Sequence, residues 1–66
     1  MKNNIRVERA IRKITQQDLA VIIGVSRQAI NAIELGKYIP STVLALKIVR
    51  FFGKSVEEIF QLNDDD

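Results

Sequence analysis

Residues 16–35 read QQDLAVIIGVSRQAINAIEL, and this stretch decides the fold. Two short segments with apolar residues at helical spacing meet at Gly24, which can adopt the positive φ of a tight turn. Ala20 has a side chain small enough to let two helices approach closely. Ile30 and Ile33 lie on one inner face of the second helix. Because such contacts set the angle between two helices, the stretch predicts a helix-turn-helix.

Helix boundaries outside this stretch follow from capping residues and glycines. A side-chain oxygen at a helix start accepts from the free N–H groups of the first turn, and glycine often ends the last turn. The start signals are Thr15, Ser26, Ser41 and Ser55, and the stop signals are Gly24, Gly36 and Gly53. The predicted helices span residues 5–13, 16–23, 27–35, 42–52 and 56–61. We therefore predict an all-α five-helix bundle over residues 1–62 and a disordered acidic tail at residues 63–66.

Apolar residues at helical spacing predict which side chains form the core. Helix 1 is expected to bury one apolar stripe, and Ile5 lies opposite that stripe, so a short extended N-terminal segment is the alternative to helix 1 for this residue. This segment and residues 60–63 are candidates for a small two-stranded β-sheet. The stripe of helix 1 consists of Val7, Ala10, Ile11 and Ile14. The rest of the predicted core consists of Leu19, Ile23, Val25, Ile30, Ile33, Leu44, Ile48, Phe52 and Ile59.

The composition limits the classes of function. The chain has 66 residues, no cysteine and no histidine, so it offers no disulfide, no His/Cys metal site and no imidazole or thiol catalysis. We therefore expect no enzyme activity and no metal, cofactor or small-molecule ligand. The apolar run at residues 19–25 is far shorter than the ~20 residues of a membrane span, and the N-terminus lacks the apolar region of a signal peptide. A cytoplasmic location is the expectation.

Charge is distributed unevenly along the chain. Residues 1–54 contain ten Lys and Arg against three acidic residues, a net charge of +7, whereas residues 55–66 contain five acidic residues and no basic one. A basic body with an acidic end suits a polyanion-binding face and a tail that points elsewhere. A charged surface that only keeps the protein soluble explains the same distribution equally well.

The outer face of the third helix carries side chains that can bind DNA bases. Arg27, Gln28 and Asn31 point away from Ile30 and Ile33, given ~100° of rotation per residue. Arg can bind guanine bidentately, while Gln and Asn can bind adenine bidentately. These residues occupy the first two turns of the helix, where a recognition helix contacts base edges. The pattern therefore favours binding to double-stranded DNA.

The run TQQDLAVIIGVSRQAINAIELGKYIPS (residues 15–41) resembles the Cro/phage-repressor (XRE) family of helix-turn-helix DNA-binding proteins. The run LALKIVRFFGKSVEEIF (residues 44–60) is similar to the last two helices of that family. The length resembles that of the family's minimal members, the cytolysin-repressor-like dimers, which have no separate ligand domain. The resemblance implies the phage-repressor type of fold and a transcriptional regulator.

The resemblance also implies roles for individual residues. Arg9 and Glu34 match an ion pair that ties helix 1 to the recognition helix. Gln16 matches a residue that hydrogen-bonds a DNA phosphate at the start of helix 2. The residues expected to face the bases are Ser26, Arg27, Gln28 and Asn31. The residues expected to contact phosphates are Gln16, Gln17, Lys37 and Tyr38.

Two hypotheses for the function follow. The first is a homodimer that binds a pseudo-palindromic operator, because one recognition helix contacts few base pairs and two half-sites supply the affinity. Repression is the favoured direction, and Ile39, Val56 and Phe60 are the expected residues of the dimer interface. The second is a protein-interaction module or an antitoxin-type component with the same fold. Its support is that Val21, Leu35 and Ile39 are apolar residues expected at the surface.

Overall fold

The computed structural model of residues 1–66 contains five helices and two short strands. In chain order these are β1 (Lys2–Asn3), α1 (Ile5–Arg12), α2 (Gln16–Ile23), α3 (Arg27–Glu34), α4 (Thr42–Phe52), α5 (Val56–Ile59) and β2 (Phe60–Gln61). The five predicted helices are confirmed. The largest boundary difference lies at the end of α5, which was expected to reach residue 61. Phe60 is already extended (φ −116°, ψ 131°) and begins β2.

The small sheet is also confirmed. β1 and β2 pair antiparallel, with Lys2 opposite Gln61 and Asn3 opposite Phe60. Asn4 extends this connection, because its backbone N–H donates to the carbonyl of Ile59 over 2.8 Å. The two ends of the chain are thereby held beside each other.

Side-chain caps begin four of the five helices, as predicted. The hydroxyls of Thr15, Ser26, Ser41 and Ser55 each accept a hydrogen bond from the backbone N–H three residues further on. At α2 and α5 an acidic side chain also bonds back to the cap residue, which completes a capping box. Removing one such cap costs about 1 kcal/mol. These local bonds explain why the helix starts are visible in the sequence.

The end of α1 departs from the rule that glycines stop the helices. Gly24 and Gly53 end α2 and α4 with φ of 89° and 67°. Lys13 takes the same left-handed conformation at the end of α1, with φ 58°. An L side chain costs roughly 1–2 kcal/mol there, so α1 ends at a position that glycine would occupy with less strain.

All five helices and β2 contribute to one hydrophobic core. Eight of the nine core residues predicted outside helix 1 are buried, and Val25 is half-buried and packs against the others. The core also contains residues that the prediction had not included, namely Ile5, Ala20, Val49 and Phe60.

The orientation predicted for α1 is wrong. Ile5 is the first residue of the helix and is fully buried, at 0% exposure, whereas Val7 and Ile11 are exposed. Ala10 is exposed as well, and Ile14 lies half-buried beyond the end of the helix. The inward face is instead lined by charged side chains that find partners elsewhere in the chain. Glu8 pairs with Lys54 at 3.4 Å.

Arg12 shows why a polar residue can lie against this core. Its Nη2 donates to the carbonyl of Phe52 over 2.7 Å. Its guanidinium lies over the rings of Phe51 and Phe52, 5.2 and 5.3 Å from their centroids. A cation over aromatic faces is attracted by the ring quadrupoles. The arginine therefore covers apolar surface while its charge stays compensated.

The acidic tail forms a turn in the structure. The backbone N–H of Asn63 donates to the carboxylate of Asp66 over 2.7 Å. The same carboxylate lies 3.1 Å from the N-terminal amine of Met1. The disorder expected for residues 63–66 in solution stays a prediction, as does the domain boundary at residue 62. None of the helices has the length and apolar character needed to span a membrane.

Candidate nucleic-acid interface

The turn between α2 and α3 holds the two helices in a fixed relation. The backbone N–H groups of Gly24 and Val25 both donate to the carbonyl of Ala20, over 2.8 and 3.0 Å. Ala20 is fully buried, which is consistent with a close approach of the helices at this point. Ile30 and Ile33 anchor α3 in the core. The opposite side of α3 consequently faces solvent.

The solvent side of α3 presents the three long polar side chains predicted to bind bases. Arg27, Gln28 and Asn31 are all exposed. At ~100° per residue they fall within about 100° of one another around the helix axis. Arg27 takes part in none of the chain's three ion pairs. The face is therefore available to a ligand in the free protein.

Ser26, which precedes Arg27, caps the start of α3. Its hydroxyl oxygen accepts from the backbone N–H of Ala29 over 3.1 Å and caps α3. A hydroxyl has a single hydrogen in addition to its acceptor lone pairs, and this hydrogen remains available for an outside acceptor. Ser26 can therefore cap the helix and bind a base or a phosphate at the same time.

Arg9 and Glu34 form the ion pair that the family resemblance implied. The guanidinium donates to both carboxylate oxygens, from Nε over 2.6 Å and from Nη2 over 3.0 Å. The side chains are 14% and 5% exposed, so the pair is nearly withdrawn from water. The hydrogen bond to Glu34 raises the pKa of Arg9 above its ordinary value. The pair fastens α1 to the end of α3 and neutralises an acid that would otherwise repel DNA.

Gln16 connects this ion pair to the solvent face of α3. Its Nε2 donates to Oε1 of Glu34 and to Oδ1 of Asn31, each over 3.1 Å. Both hydrogens of the Gln16 amide are thus used inside the protein. The phosphate contact expected from this side chain has no free donor in the structure. The backbone N–H groups of Gln16 and Gln17 open α2 without any carbonyl acceptor, and they can bind an anion instead.

The other residues expected to contact phosphates are exposed. Gln17, Lys37 and Tyr38 are all exposed, as a contact with the DNA backbone requires. The backbone N–H of Lys37 donates to the carbonyl of Ala32 over 2.9 Å and completes the end of α3. The side-chain ammonium of Lys37 is therefore the group that remains for a phosphate.

Arg6 belongs to this surface but was not among the predicted site residues. It lines one cleft together with Arg9, Gln16 and Asn31. Arg6 precedes Arg9 by three residues on α1, and residues with this spacing share a helix face. This spacing could have predicted that Arg6 lies beside Arg9. It was not used, because the predicted orientation of α1 was wrong.

The predicted dimer residues divide into two groups. Ile39 is 64% exposed and lines an apolar groove with Leu46 and Val56. Phe60 borders the same groove but is only 6% exposed. Its ring packs in the core of its own protomer, and its assignment to a dimer interface stays a prediction. Leu46, which was not among the predicted residues, lies on the exposed side of α4 and lines the same groove.

Comparison with known proteins places the chain in a family. The helix-turn-helix family HTH_3 matches residues 5–59. An HTH-type transcriptional regulator of Methanocaldococcus jannaschii is 54% identical, with 100% of both chains aligned. One of Bacillus subtilis is 41% identical over 100% of both chains, and one of Methanothermobacter thermautotrophicus is 44% identical over 98% of this chain and 96% of its own. The chain therefore belongs to the HTH_3 helix-turn-helix family, the XRE-type group of DNA-binding transcriptional regulators.

Proposed function

We propose that the protein binds a pseudo-palindromic operator in double-stranded DNA as a homodimer and represses transcription by occupying it. The observation that carries this proposal is the solvent face of α3, where Arg27, Gln28 and Asn31 are exposed on the first two turns. An α-helix fits the major groove, and these side chain types match the hydrogen-bonding edges of guanine and adenine. Ser26 begins the helix and lies at the groove edge.

Phosphate contacts flank this face on both sides. The free backbone N–H groups of Gln16 and Gln17 bind one phosphate at the start of α2, where the helix dipole favours an anion. Lys37 and Tyr38 contact the backbone beyond the end of α3, where both are exposed. Such contacts set the position of a protein on the duplex without discriminating between sequences.

A selection from random duplexes followed by gel-shift titration tests the base contacts. Arg27→Ala and Gln28→Ala each remove one bidentate base contact, which should weaken binding to the selected operator by about 5- to 150-fold. Arg50→Ala is the matched control, because it removes one exposed positive charge on α4, outside the proposed face. If Arg27→Ala and Gln28→Ala bind the operator as tightly as the Arg50→Ala control does, α3 does not contact the bases.

Lys37→Ala separates a phosphate contact from a base contact. Loss of one phosphate contact weakens binding to every sequence alike and lowers the slope of log affinity against log salt by about 1. The selected operator and a random duplex should therefore lose affinity in the same proportion. A loss confined to the operator would assign Lys37 to base recognition instead.

The second protomer covers the apolar groove formed by Ile39, Leu46 and Val56. Exposed apolar side chains that line one groove are typical of an association surface. The protomer measures 31 × 22 × 21 Å. Half-sites one helical turn apart are separated by ~34 Å, so two protomers side by side can place two α3 helices in successive major grooves.

Light scattering of two matched variants tests the interface. Ile39→Glu introduces a charge at a side chain that is 64% exposed, and Ile11→Glu does so at one that is 66% exposed. Ile39→Glu should give a monomer, because an unpaired charge would be buried in the interface, whereas Ile11→Glu should remain a dimer. A dimeric Ile39→Glu variant would place the interface elsewhere, and a monomeric wild type would exclude the dimer.

A protein-interaction module remains the alternative. Val21 and Leu35 are apolar and exposed, and both lie on the helix-turn-helix itself. Their surface would suit a protein partner better than a phosphate backbone. If the selection yields no duplex that binds more tightly than random DNA at moderate salt, this alternative replaces the operator proposal.

A further inference from the structure

A chain of hydrogen bonds runs from Arg9 to Asn31 across three helices. Arg9 on α1 donates to Glu34, Gln16 on α2 donates to Glu34, and the same Gln16 amide donates to Asn31 on α3. We infer that this chain turns the Asn31 amide so that its NH₂ group faces the DNA, and that Asn31 consequently selects guanine over adenine at the base it meets. The inference rests on the proposed function, because it specifies one contact of the proposed base-binding face.

The direction of the chain is set at its buried end. Arg9 carries only donors, so both oxygens of Glu34 act as acceptors. Oε1 of Glu34 accepts from Nη2 of Arg9 over 3.0 Å and from the Gln16 amide over 3.1 Å. A carboxylate cannot donate, so Gln16 must direct its NH₂ group at Glu34. The side chain of Glu34 is 5% exposed, and water therefore does not compete for this position.

The orientation of Gln16 then determines that of Asn31. The NH₂ group of Gln16 has a second hydrogen, which it donates to Asn31, with Nε2 of Gln16 3.1 Å from Oδ1 of Asn31. If the Asn31 amide were reversed, two NH₂ groups would face each other with no acceptor between them. The carbonyl of Asn31 is thus held toward Gln16, and its NH₂ group projects from the exposed side of α3.

An outward NH₂ group matches one purine better than the other. In the major groove guanine presents two neighbouring acceptors, N7 and O6, and both can accept from an NH₂ group. Adenine presents the N7 acceptor beside the N6 amino donor, and a bidentate contact needs a carbonyl oxygen on the protein as well. The carbonyl of Asn31 is turned away toward Gln16. The expectation from residue type alone, that Asn31 binds adenine, is therefore replaced by a preference for guanine.

Gln16 acts in this scheme as a positioning residue. Gln16→Leu removes the donor that holds the carbonyl of Asn31, so the amide becomes free to rotate and bind either purine. Arg50→Ala is the control, because Arg50 is exposed on α4, outside the proposed base-binding face, and donates to neither Asn31 nor Glu34.

Gel-shift titration with operators that differ at one base pair tests the inference. Asn31→Ala first identifies the position in each half-site where discrimination is lost. At that position the wild type and Arg50→Ala should bind the guanine operator about fivefold or more tighter than the adenine operator, which is the lower end for one bidentate contact. Gln16→Leu should bring the ratio close to one. A lower affinity for both operators does not change this ratio.

Each other outcome overturns the inference. A wild type that prefers adenine at this position, or a ratio that Gln16→Leu leaves unchanged, would show that Gln16 does not orient Asn31. A specific operator at which Asn31→Ala loses no discrimination would show that Asn31 does not contact a base. In these cases the proposed operator binding still stands. If the selection yields no specific duplex, the proposed function and this inference fail together.

Discussion

Shortening the side chain of Ile5 will destabilise the protein much more than the same change at Ile11. Both residues are isoleucines of α1, so each serves as the control for the other. Ile5 is 0% exposed and belongs to the core, whereas Ile11 is 66% exposed. The comparison therefore measures which face of α1 is turned inward.

The expected size of the difference follows from burial. At a buried site Ile→Val costs about 0.5–1.5 kcal/mol and Ile→Ala about 2–5 kcal/mol. At an exposed site such changes stay within about 0.5 kcal/mol. At ~0.05–0.15 kcal/mol per residue, the free energy of unfolding of a chain this short is about 3–10 kcal/mol. Ile5→Ala thus removes a large part of the total, and Ile5→Val is the variant that remains folded for measurement.

Urea denaturation, monitored by far-UV circular dichroism, gives the free energies of unfolding. All variants are compared at one protomer concentration, because association raises apparent stability. Ile5→Val should also lower the Tm by roughly 2–12 °C, given 4–8 °C for each kcal/mol in a domain of this size. If Ile11→Val costs as much as Ile5→Val, the orientation of α1 is wrong.

Three further changes probe the ion pair, the capping boxes and the end of α1. Arg9→Met leaves the carboxylate of Glu34 buried without its partner and should cost about 3 kcal/mol or more in the same denaturation assay; a loss below ~1 kcal/mol would contradict this. Hydrogen bonds from the backbone of the cap residues hold the pKa of Asp18 and the pKa of Glu58 below their ordinary values. The two ionised carboxylates therefore stabilise the folded protein above their unfolded pKa, and this stabilisation is lost as the pH falls through their folded pKa. The double variant Asp18→Asn, Glu58→Gln has no such carboxylates, so it should lose less stability than wild type between about pH 5 and pH 2. Equal pH dependence of the urea midpoints would refute this. Lys13→Gly should raise the free energy of unfolding by up to ~1 kcal/mol, because it relieves a left-handed φ of 58° while adding entropy to the unfolded chain; any destabilisation would contradict it.

The helix starts and the turn of the helix-turn-helix could be predicted because their causes are local. A serine or threonine cap bonds to an N–H three residues away, as at Ser55, and Gly24 adopts the φ that the turn requires. Such interactions depend on the order of residues and on little else. The solvent face of α3 could be predicted for the same reason, since Ile30 and Ile33 determine which side points inward.

The orientation of α1 could not be predicted because its partners lie far away in the chain. Glu8 is buried and Arg9 is half-buried only because Lys54 and Glu34 are there to meet them, and the exposed Arg12 reaches the carbonyl of Phe52. A burial pattern based on hydropathy assigns charged residues to the surface. Such a pattern cannot predict the burial of a charged residue whose partner lies on another helix.

The sequence by itself determined the helices, the turn between α2 and α3, and the family, because caps, glycines and apolar spacing act over a few residues. The tertiary structure decided the facing of α1, the burial of Phe60 and the direction of the Asn31 amide. Each of these depends on groups that are distant in sequence and meet only when the helices pack. The hydrogen bonds of Gln16 to Glu34 and Asn31 span 18 and 15 residues. Only the packing of α2 against α3 brings these side chains within reach of one another.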